Sequence, residues 1–255
     1  MKKLAIAALT LTISVFAQGP RHMGPGGDFA MVRAEFGVSN KVVQGSPYSA
    51  QAVTQFTQAL ANGDHVQRTT TASIARDSQG RTRVDRSLAT VGALSATGGQ
   101  SRAIMIHDPV AGISYALNPA SKTGTSMQIK ARPAGSEARA QHAPAFRAAA
   151  KTEDLGTQVI QGISAQGKRV TRAIAAGQEG NEKEIDIVTE TWYSPDLQVV
   201  VQSKTSDPRF GETTYQLTGL SRVEPDPALF AVSGYAITEG RAFSGGMHQR
   251  PAAAQ

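Results

Sequence analysis

The stretch that most constrains the fold runs from Ile185 to Val201 and reads as two β-strands joined by a turn. Side chains in its first part alternate between two faces with a period of two, which is typical of a strand. Ser194-Pro195-Asp196 predicts the turn, because proline fixes φ and lacks an amide donor, while aspartate can accept from the backbone just ahead. Val199 to Val201 is β-branched and suits a second strand. The stretch therefore predicts a β-hairpin within a β-rich domain.

Turn signals recur on both sides of this hairpin. Asn62-Gly63 and Asp77-Ser78-Gln79-Gly80 separate three alternating segments in the first half, which predicts a meander. The first of these segments, Tyr48 to Leu60, has a composition that would also suit an amphipathic helix. Asp226 to Phe230 predicts a short capped turn that buries Phe230. We expect nine or ten strands and little helix, arranged as one strongly curved antiparallel sheet or two smaller ones.

The N-terminus carries the features of an export signal. Lys2 and Lys3 precede an uncharged apolar run, Leu4 to Phe16, which is shorter than the roughly 20 residues of a transmembrane helix. Val15-Phe16-Ala17 then offers a cleavage site. We predict a signal peptide over residues 1–17 with cleavage near Ala17, and hence an exported protein, periplasmic or secreted.

The remainder divides by composition. The Gly/Pro-rich residues 18–46 and the tail, residues 240–255, are predicted to be disordered. A single β-dominated domain is expected over residues 47–239. Within it, an Ala/Arg-rich insertion at about 130–151 reads equally well as a helix or a linker.

Composition also limits the classes of function. The chain has no cysteine, so disulfides and thiol chemistry are excluded and a packed core must hold the protein together. Residues 18–151 hold 15 Lys/Arg and 7 Asp/Glu, whereas residues 152–240 hold 7 and 13. The imbalance favours complementarity between the halves or an anionic partner. Few aromatic residues lie near the arginines, which argues against nucleic acid, and no later segment reaches transmembrane length.

Searches for catalytic and metal motifs find no pattern with the required spacing. Gly112-Ile113-Ser114 and Gly219-Leu220-Ser221 lack the second glycine of a nucleophile elbow. The five histidines are scattered, so no metal site is predicted, and no cofactor either. Asp186 and Glu190 share a strand face with Trp192, as the carboxylates of an envelope glycan- or peptidoglycan-acting hydrolase could. A solvated strand face explains the same pair, and we favour that interpretation.

A group of arginines surrounds the turn at Asp77 to Gly80. Arg81 and Arg83 share a strand face, and Arg76 lies just across the turn, so the three predict a patch toward an anionic partner. Long basic side chains on a solvent-exposed sheet explain them equally well.

From about residue 153 to 237 the chain resembles the LolA-like family, the unclosed β-barrels of periplasmic lipoprotein carriers and of the related RseB sensor domain. The resemblance is carried by the order of features. A strand and glycine near Val159 to Gly162 precede the Trp192-Tyr193-Ser194-Pro195-Asp196-Leu197 hairpin and the Gly211 to Leu220 strand. Asp226-Pro227-Ala228-Leu229-Phe230 and Gly234-Tyr235 close the match. The same ending occurs in a group of exported bacterial proteins to which the chain is also similar.

The resemblance implies a mainly β fold, an unclosed and strongly curved half-barrel with few short helices. It also implies a non-enzymatic binding protein, which holds a lipid-like or other hydrophobic ligand or an envelope protein partner in the concavity. We predict that Trp192, Tyr193, Tyr215 and Phe230 line this concavity, although each also suits an ordinary core. A structural or adhesive envelope protein is the other non-enzymatic alternative.

Overall fold

The computed structural model describes residues 42–88, 101–129 and 150–240, which form one sheet of twelve strands. The strands are β1 (Tyr48–Ala59), β2 (His65–Arg76), β3 (Thr82–Leu88), β4 (Ser101–Asp108), β5 (Ile113–Asn118), β6 (Thr123–Gln128), β7 (Ala150–Ile160), β8 (Ile163–Ile174), β9 (Ile185–Ser194), β10 (Val199–Asp207), β11 (Gly211–Ser221) and β12 (Ala236–Glu239). A 3₁₀ helix spans Pro227–Phe230. The predicted signal peptide, most of the Gly/Pro-rich segment and of the insertion, and nearly all of the tail lie outside the described residues.

The strand order is β12-β6-β5-β4-β3-β2-β1-β11-β10-β9-β8-β7. Neighbours pair antiparallel, except that β12 pairs parallel with β6. Strands β7 and β12 are the two edges, so the sheet is not closed. The predicted unclosed antiparallel sheet is confirmed, and β12 is an addition that the sequence did not indicate. Residues 222–235, which include the 3₁₀ helix, lead the chain from β11 to β6 at this edge.

Local sequence explains the first meander. Tyr48, Ala50 and Ala52 are buried and alternate with more exposed neighbours, so the first segment is a strand and not an amphipathic helix. The predicted turns fall where expected, with positive φ at Gly63 and Gly80, a region that glycine enters without steric cost. The alternation also defines two faces for the sheet.

The sheet curls toward the face that carries Ala50, Ala52 and Ile74, called here the inner face. Arg76, on the same side of β2, donates from Nη2 to the carbonyl oxygen of Leu197 in the β9–β10 turn, at 2.5 Å. Strands β1 and β11 lie between β2 and β10, so a flat sheet would separate the two by about 14 Å, more than an arginine side chain spans. The hydrogen bond therefore requires the sheet to bend and the turn to fold across its inner face.

Two hydrophobic clusters stabilise the sheet from opposite sides. The inner cluster joins buried residues of the central strands to those of two hairpin ends: Tyr48, Ala50, Ala52, Ala72, Ile74, Val84, Met105, Ile160, Ile163, Ala165, Leu197, Val199, Val201, Tyr215 and Leu217. The outer cluster consists of Ala75, Ile104, Ile106, Leu117 and Phe230. Its last member comes from the 3₁₀ helix, so the C-terminal segment covers part of the outer face.

The predicted capped turn is this 3₁₀ helix. Asp226 caps it by accepting a hydrogen bond from the amide of Ala228 at 2.9 Å, and Phe230 is 6% exposed. Burial of Phe230 is thus confirmed, on the outer face. Among the described residues, no helix is long and apolar enough to cross a membrane.

Candidate binding surface on the inner face

One half of the inner face is apolar and closed by hairpin ends. Leu197 in the β9–β10 turn is fully buried, and Ile160 and Ile163, on either side of the β7–β8 turn, are nearly so. All three belong to the same cluster as the alanines of β1 and β2. Small side chains on the central strands leave room for the hairpin ends, which the bend brings over them. This half is a packed core.

Arg76 fastens the hairpin end to the central strands. Its guanidinium donates from Nε and Nη2 to Ser46 O, at 3.0 and 2.7 Å, as well as to Leu197 O. It also lies 4.8 Å from the ring centroid of Tyr48, a favourable cation–π distance. Burial lowers the pKa of Arg76, and the facing Tyr48 and Tyr193 partly oppose that shift. The charge is satisfied by carbonyl dipoles and a π-face, and no carboxylate of the described residues pairs with it.

The other half of the inner face is lined by hydroxyl groups. Paired residues on neighbouring strands project to the same side, and here the register joins hydroxyl side chains across five strands. The first row is Thr70, Thr54, Tyr215, Ser203 and Thr191, and the second contains Thr213, Thr205 and Thr189. Most of these side chains are half-buried. The hydroxyl rows begin where the apolar cluster ends, at Tyr215.

The hydroxyl rows are only partly satisfied within the protein. Thr189 and Thr205 share a long hydrogen bond of 3.4 Å. Thr54 Oγ1 is buried and has no hydrogen-bond partner among the described residues. Burial raises the pKa of Tyr215, so its phenol stays protonated at neutral pH. An unpaired buried hydroxyl costs stability, and a ligand that reaches Thr54 would remove that cost.

The four predicted lining residues do not meet on one surface. Tyr215 is 5% exposed and belongs to the inner cluster, which Trp192 packs against while half-buried. The Trp192 ring lies over Gly167, where an added Cβ would come within 2.5 Å of it. Phe230 lies on the outer face, 4.9 Å from the Arg81 guanidinium. Tyr193 is 40% exposed. Tyr215 belongs to the first hydroxyl row, and Tyr193 follows Thr191 on the same face of β9. Contact of any of the four with a ligand stays a prediction.

Sequence reasoning missed the hydroxyl rows. Alternation along β9 puts Thr189 and Thr191 on one strand face, and β2 is rich in threonine. Their meeting with Thr54 and Ser203 depends on the order and register of strands distant in the chain. Strand order and register cannot be derived from the alternation of side chains within a single strand. A search for hydroxyl residues on the same side of every predicted strand would have raised the possibility.

The three predicted patch arginines face different environments. Arg76 is buried on the inner face. Arg81 pairs with Asp77 through Nε at 2.6 Å. Arg83 lies on the outer face, where its Nη1 donates to Leu229 O at 2.7 Å and its Nη2 reaches Asp85 at 3.1 Å. The structure therefore does not bring the three guanidiniums together, and their binding to an anionic partner stays a prediction.

The carboxylates of the alternative hydrolase are four residues apart on β9. Their Cα atoms are therefore about 13 Å apart, whereas glycosidase carboxyl groups lie roughly 5 to 9.5 Å from each other. Glu190 accepts from Arg169 at 2.7 Å, and Asp186 is exposed. Within the described part of the chain, no three His, Asp or Glu residues are grouped so as to hold a metal ion. The arrangement fits a solvated strand face.

The fold defines the class of protein as an unclosed, curved and mainly antiparallel sheet of twelve strands. No protein-family model and no curated protein matches the chain. Among solved structures it is similar to Pseudomonas aeruginosa MucB in complex with MucA, with 14% identity, a TM-score of 0.39, and coverage of 74% of this chain and 56% of that one. A structure of MucB alone gives 13% identity, a TM-score of 0.39, and coverage of 82% and 63%. The chain thus spans somewhat over half the length of MucB.

A LolA superfamily protein from Nitrosomonas europaea is also similar, with 10% identity, a TM-score of 0.32, and coverage of 73% of this chain and 90% of that one. At such identities and TM-scores the likeness concerns the fold, and the activities of these neighbours carry no weight for this chain.

Proposed function

We propose that this chain is an exported binding protein, which holds an amphiphilic, lipid-like ligand against its inner face. The observation that carries the proposal is the division of that face into an apolar half and a half lined by hydroxyl rows. The apolar half is a packed core, but Trp192, Val200 and Leu220, which pack against it, are only half-buried. Such apolar surface favours a hydrocarbon by about 25 cal/mol per Å² removed from water. Half-buried hydroxyls instead favour a ligand that returns their hydrogen bonds. A molecule with an apolar part and a hydrogen-bonding part therefore suits both halves of the inner face.

The position of Tyr215 and Thr54 gives the ligand an orientation. They are paired across β1 and β11, at the boundary between the two halves. The polar part of the ligand would lie over Thr54, Ser203 and Thr191, and its apolar part would run toward Tyr215 and the inner cluster. The unpaired Thr54 Oγ1 is the first hydroxyl that the polar part would reach. The predicted signal peptide supports a location of this binding in the cell envelope or outside the cell.

Two adjacent residues on β10 provide the test. Thr205 projects into the hydroxyl rows, and Ser206 projects to the opposite face, while both are half-buried. Uptake of a fluorescent fatty acid should be reduced at least tenfold in Thr205→Arg, because the long cationic side chain obstructs the inner face. Ser206→Arg should bind like the unchanged protein. Native mass spectrometry of the exported protein, purified without detergent, should show a discrete added mass that organic extraction removes.

An equal loss of fatty-acid uptake in both variants would mean that the fatty acid binds elsewhere or at no defined site. A bare protein mass, together with no fatty-acid uptake, would remove the proposal. Thermal unfolding of both variants, followed by circular dichroism, separates lost binding from lost folding.

One observation favours the structural or adhesive alternative. Strand β7 is an edge strand of eleven residues, and an edge of this length can pair with another chain. Charged side chains at Lys151, Glu153 and Asp154, with a register shift at Asp154 to Gly156, reduce that tendency over its first half. Val159, 73% exposed, lies in the uncharged second half. Assembly that depends on Val159 and proceeds without a ligand would favour this alternative.

A further inference from the structure

A second concave surface lies on the outer face, between strands β1 to β4 and the 3₁₀ helix. Its volume is about 400 Å³, within the roughly 300 to 1,000 Å³ of ligand pockets. Its polar lining comes from Gln51, Ser73, Arg83, Asp85 and Arg102, and Leu229 of the 3₁₀ helix forms one wall. Register places these strand residues on one side: Ser73 pairs with both Gln51 and Asp85. This outer groove is separate from the hydroxyl rows, which lie on the other face.

Two guanidiniums in the outer groove share a single carboxylate. Arg102 reaches Asp85 through Nε and Nη2, both at 2.6 Å, in a bidentate pair. Arg83 approaches the same carboxylate from Nη2 at 3.1 Å. Asp85 and Arg83 side chains are 10% and 15% exposed, so both are nearly removed from water. With two cations and one anion, the group carries one net positive charge.

Arg102 is the member of the group that is open to a ligand. Its side chain is 57% exposed, and its Nη1 has no hydrogen-bond partner among the described residues. The bidentate pair with Asp85 holds the guanidinium plane fixed, so little side-chain entropy is lost when a further acceptor binds. A fixed, partly exposed guanidinium with an unused donor is suited to an incoming anion.

The neighbouring surface favours an amide next to that anion. Gln51 Nε2 donates to Ser73 Oγ at 2.8 Å, which leaves the glutamine carbonyl and the serine hydroxyl proton able to pair with a peptide group. Leu229 is 38% exposed and offers an apolar contact beside them. A single net positive charge matches a carboxylate better than a phosphate ester, which carries about −1.5 to −2 at neutral pH.

We propose that the outer groove binds a peptide carboxylate, with Arg102 as the contact to the carboxylate and with Gln51 and Ser73 as contacts to the adjoining peptide group. The carboxylate can come from the C-terminus of a peptide or from an acidic side chain. Arg83 and Asp85 act as positioning residues, since they hold Arg102 and set the charge of the group. The partner is thus an acidic or C-terminal peptide segment.

The test is a calorimetric titration of the whole purified chain with three N-acetylated tripeptides. One has a free C-terminal carboxylate beside an apolar residue, the second is its C-terminal amide, and the third is an amide with one glutamate side chain. Binding of the first or the third, with at least tenfold weaker binding of the second, supports the proposal and identifies the source of the carboxylate. Arg102→Gln should weaken that binding at least tenfold. Arg68→Gln removes an exposed arginine on the inner face and should leave it unchanged.

Three results would overturn the proposal. The amide peptide could bind as tightly as the peptide with the carboxylate, or Arg102→Gln could bind as well as the unchanged protein. Inorganic phosphate could also compete at the same concentration as acetate or better, which would reveal an unspecific anion site. Backbone amide shifts in NMR spectra of Arg102→Gln separate a local loss of binding from a failure to fold. If that variant does not fold, Ser73→Ala, which keeps every charge, takes its place with an expected loss of at least threefold.

Discussion

Arg76 and Arg102 lie on opposite faces of the same sheet, and their charges are neutralised in different ways. Arg76 is 4% exposed and rests on two carbonyl oxygens and the ring of Tyr48. Arg102 is on the protein surface and is paired with a carboxylate. Burial lowers the pKa of Arg76, whereas the hydrogen bond to Asp85 raises the pKa of Arg102. The first arginine supports the fold, and the second remains accessible to a partner.

The difference follows from the bend of the sheet, which gives the two arginines different surroundings. On the inner face the bend brings hairpin ends over the strands, so a cation there is enclosed and must find acceptors in the backbone. On the outer face the strands diverge, and the 3₁₀ helix covers only part of them. A cation there needs a carboxylate to hold it in place, and it keeps its exposure. Substitution of the enclosed Arg76 should therefore act mainly on stability, and substitution of the exposed Arg102 mainly on binding.

The largest effect should follow from Arg76→Met. Methionine replaces much of the apolar stem but leaves Ser46 O and the buried Leu197 O without a donor, and the cation–π contact with Tyr48 is lost. We expect the free energy of unfolding to fall by about 3 kcal/mol, the sum of an unsatisfied buried acceptor and lost packing. Urea denaturation followed by circular dichroism measures the change.

Arg68→Met is the matched control for this prediction. Arg68 lies on the same strand and the same side as Arg76 and is exposed, so the free energy of unfolding should change by less than about 0.5 kcal/mol. A similar loss of unfolding free energy in the two variants would mean that Arg76 does not stabilise the contact between the hairpin end and the central strands.

A smaller effect is expected from Gly167→Ala. The added methyl group would meet the Trp192 ring at 2.5 Å, so the indole or the β8–β9 pair must shift, which costs about 2 kcal/mol. The chain has one tryptophan, so its fluorescence reports the shift directly. In a Trp192→Leu background the same glycine substitution should cost less than half as much. An unchanged cost there would locate the strain elsewhere.

The sequence predicted much of the fold because its signals are local. Asn62-Gly63, the Ser194-Pro195-Asp196 turn and the Asp226 cap each act through their own backbone, and each lies where it was expected. Strands β7 and β8 meet at the tight turn Gln161-Gly162, and Ile163 resumes the ladder directly after it. A polar strand such as Ala150–Ile160 has too weak an alternation to be recognised without its partner.

The candidate sites could not be predicted to the same extent, because they depend on contacts between distant strands. Arg76 and Arg83 lie close in sequence but on opposite faces of the sheet. Arg76 pairs with Thr82 and projects to the same side as it, so Arg83, the next residue of β3, projects to the other side. Arg102 pairs with Asp85 because β3 and β4 are neighbours, and sequence reasoning did not single out either residue. Phe230 was correctly predicted as buried, but its face depends on the path of residues 222–235.

The smallest effect, and the one that tests the outer face, is the pH dependence of Asp85→Asn. Burial alone would raise the pKa of Asp85, but hydrogen bonds from Arg102 and Arg83 outweigh it and hold the pKa below its ordinary value. A depressed pKa in the folded state contributes stability above the unfolded pKa of about 3.9 and loses it as the pH falls through the folded value. The free energy of unfolding of the unchanged protein should therefore exceed that of Asp85→Asn by about 1 kcal/mol at neutral pH. The difference should shrink as the pH falls below about 3.9 toward the lower pKa of the folded protein. Asp186→Asn, on an exposed part of β9, controls for the loss of one negative charge. A gap between Asp85→Asn and the unchanged protein that stays constant from pH 7 to pH 3 would show that the ion pair does not hold Arg102, and the outer groove would lose the residue that fixes its cation.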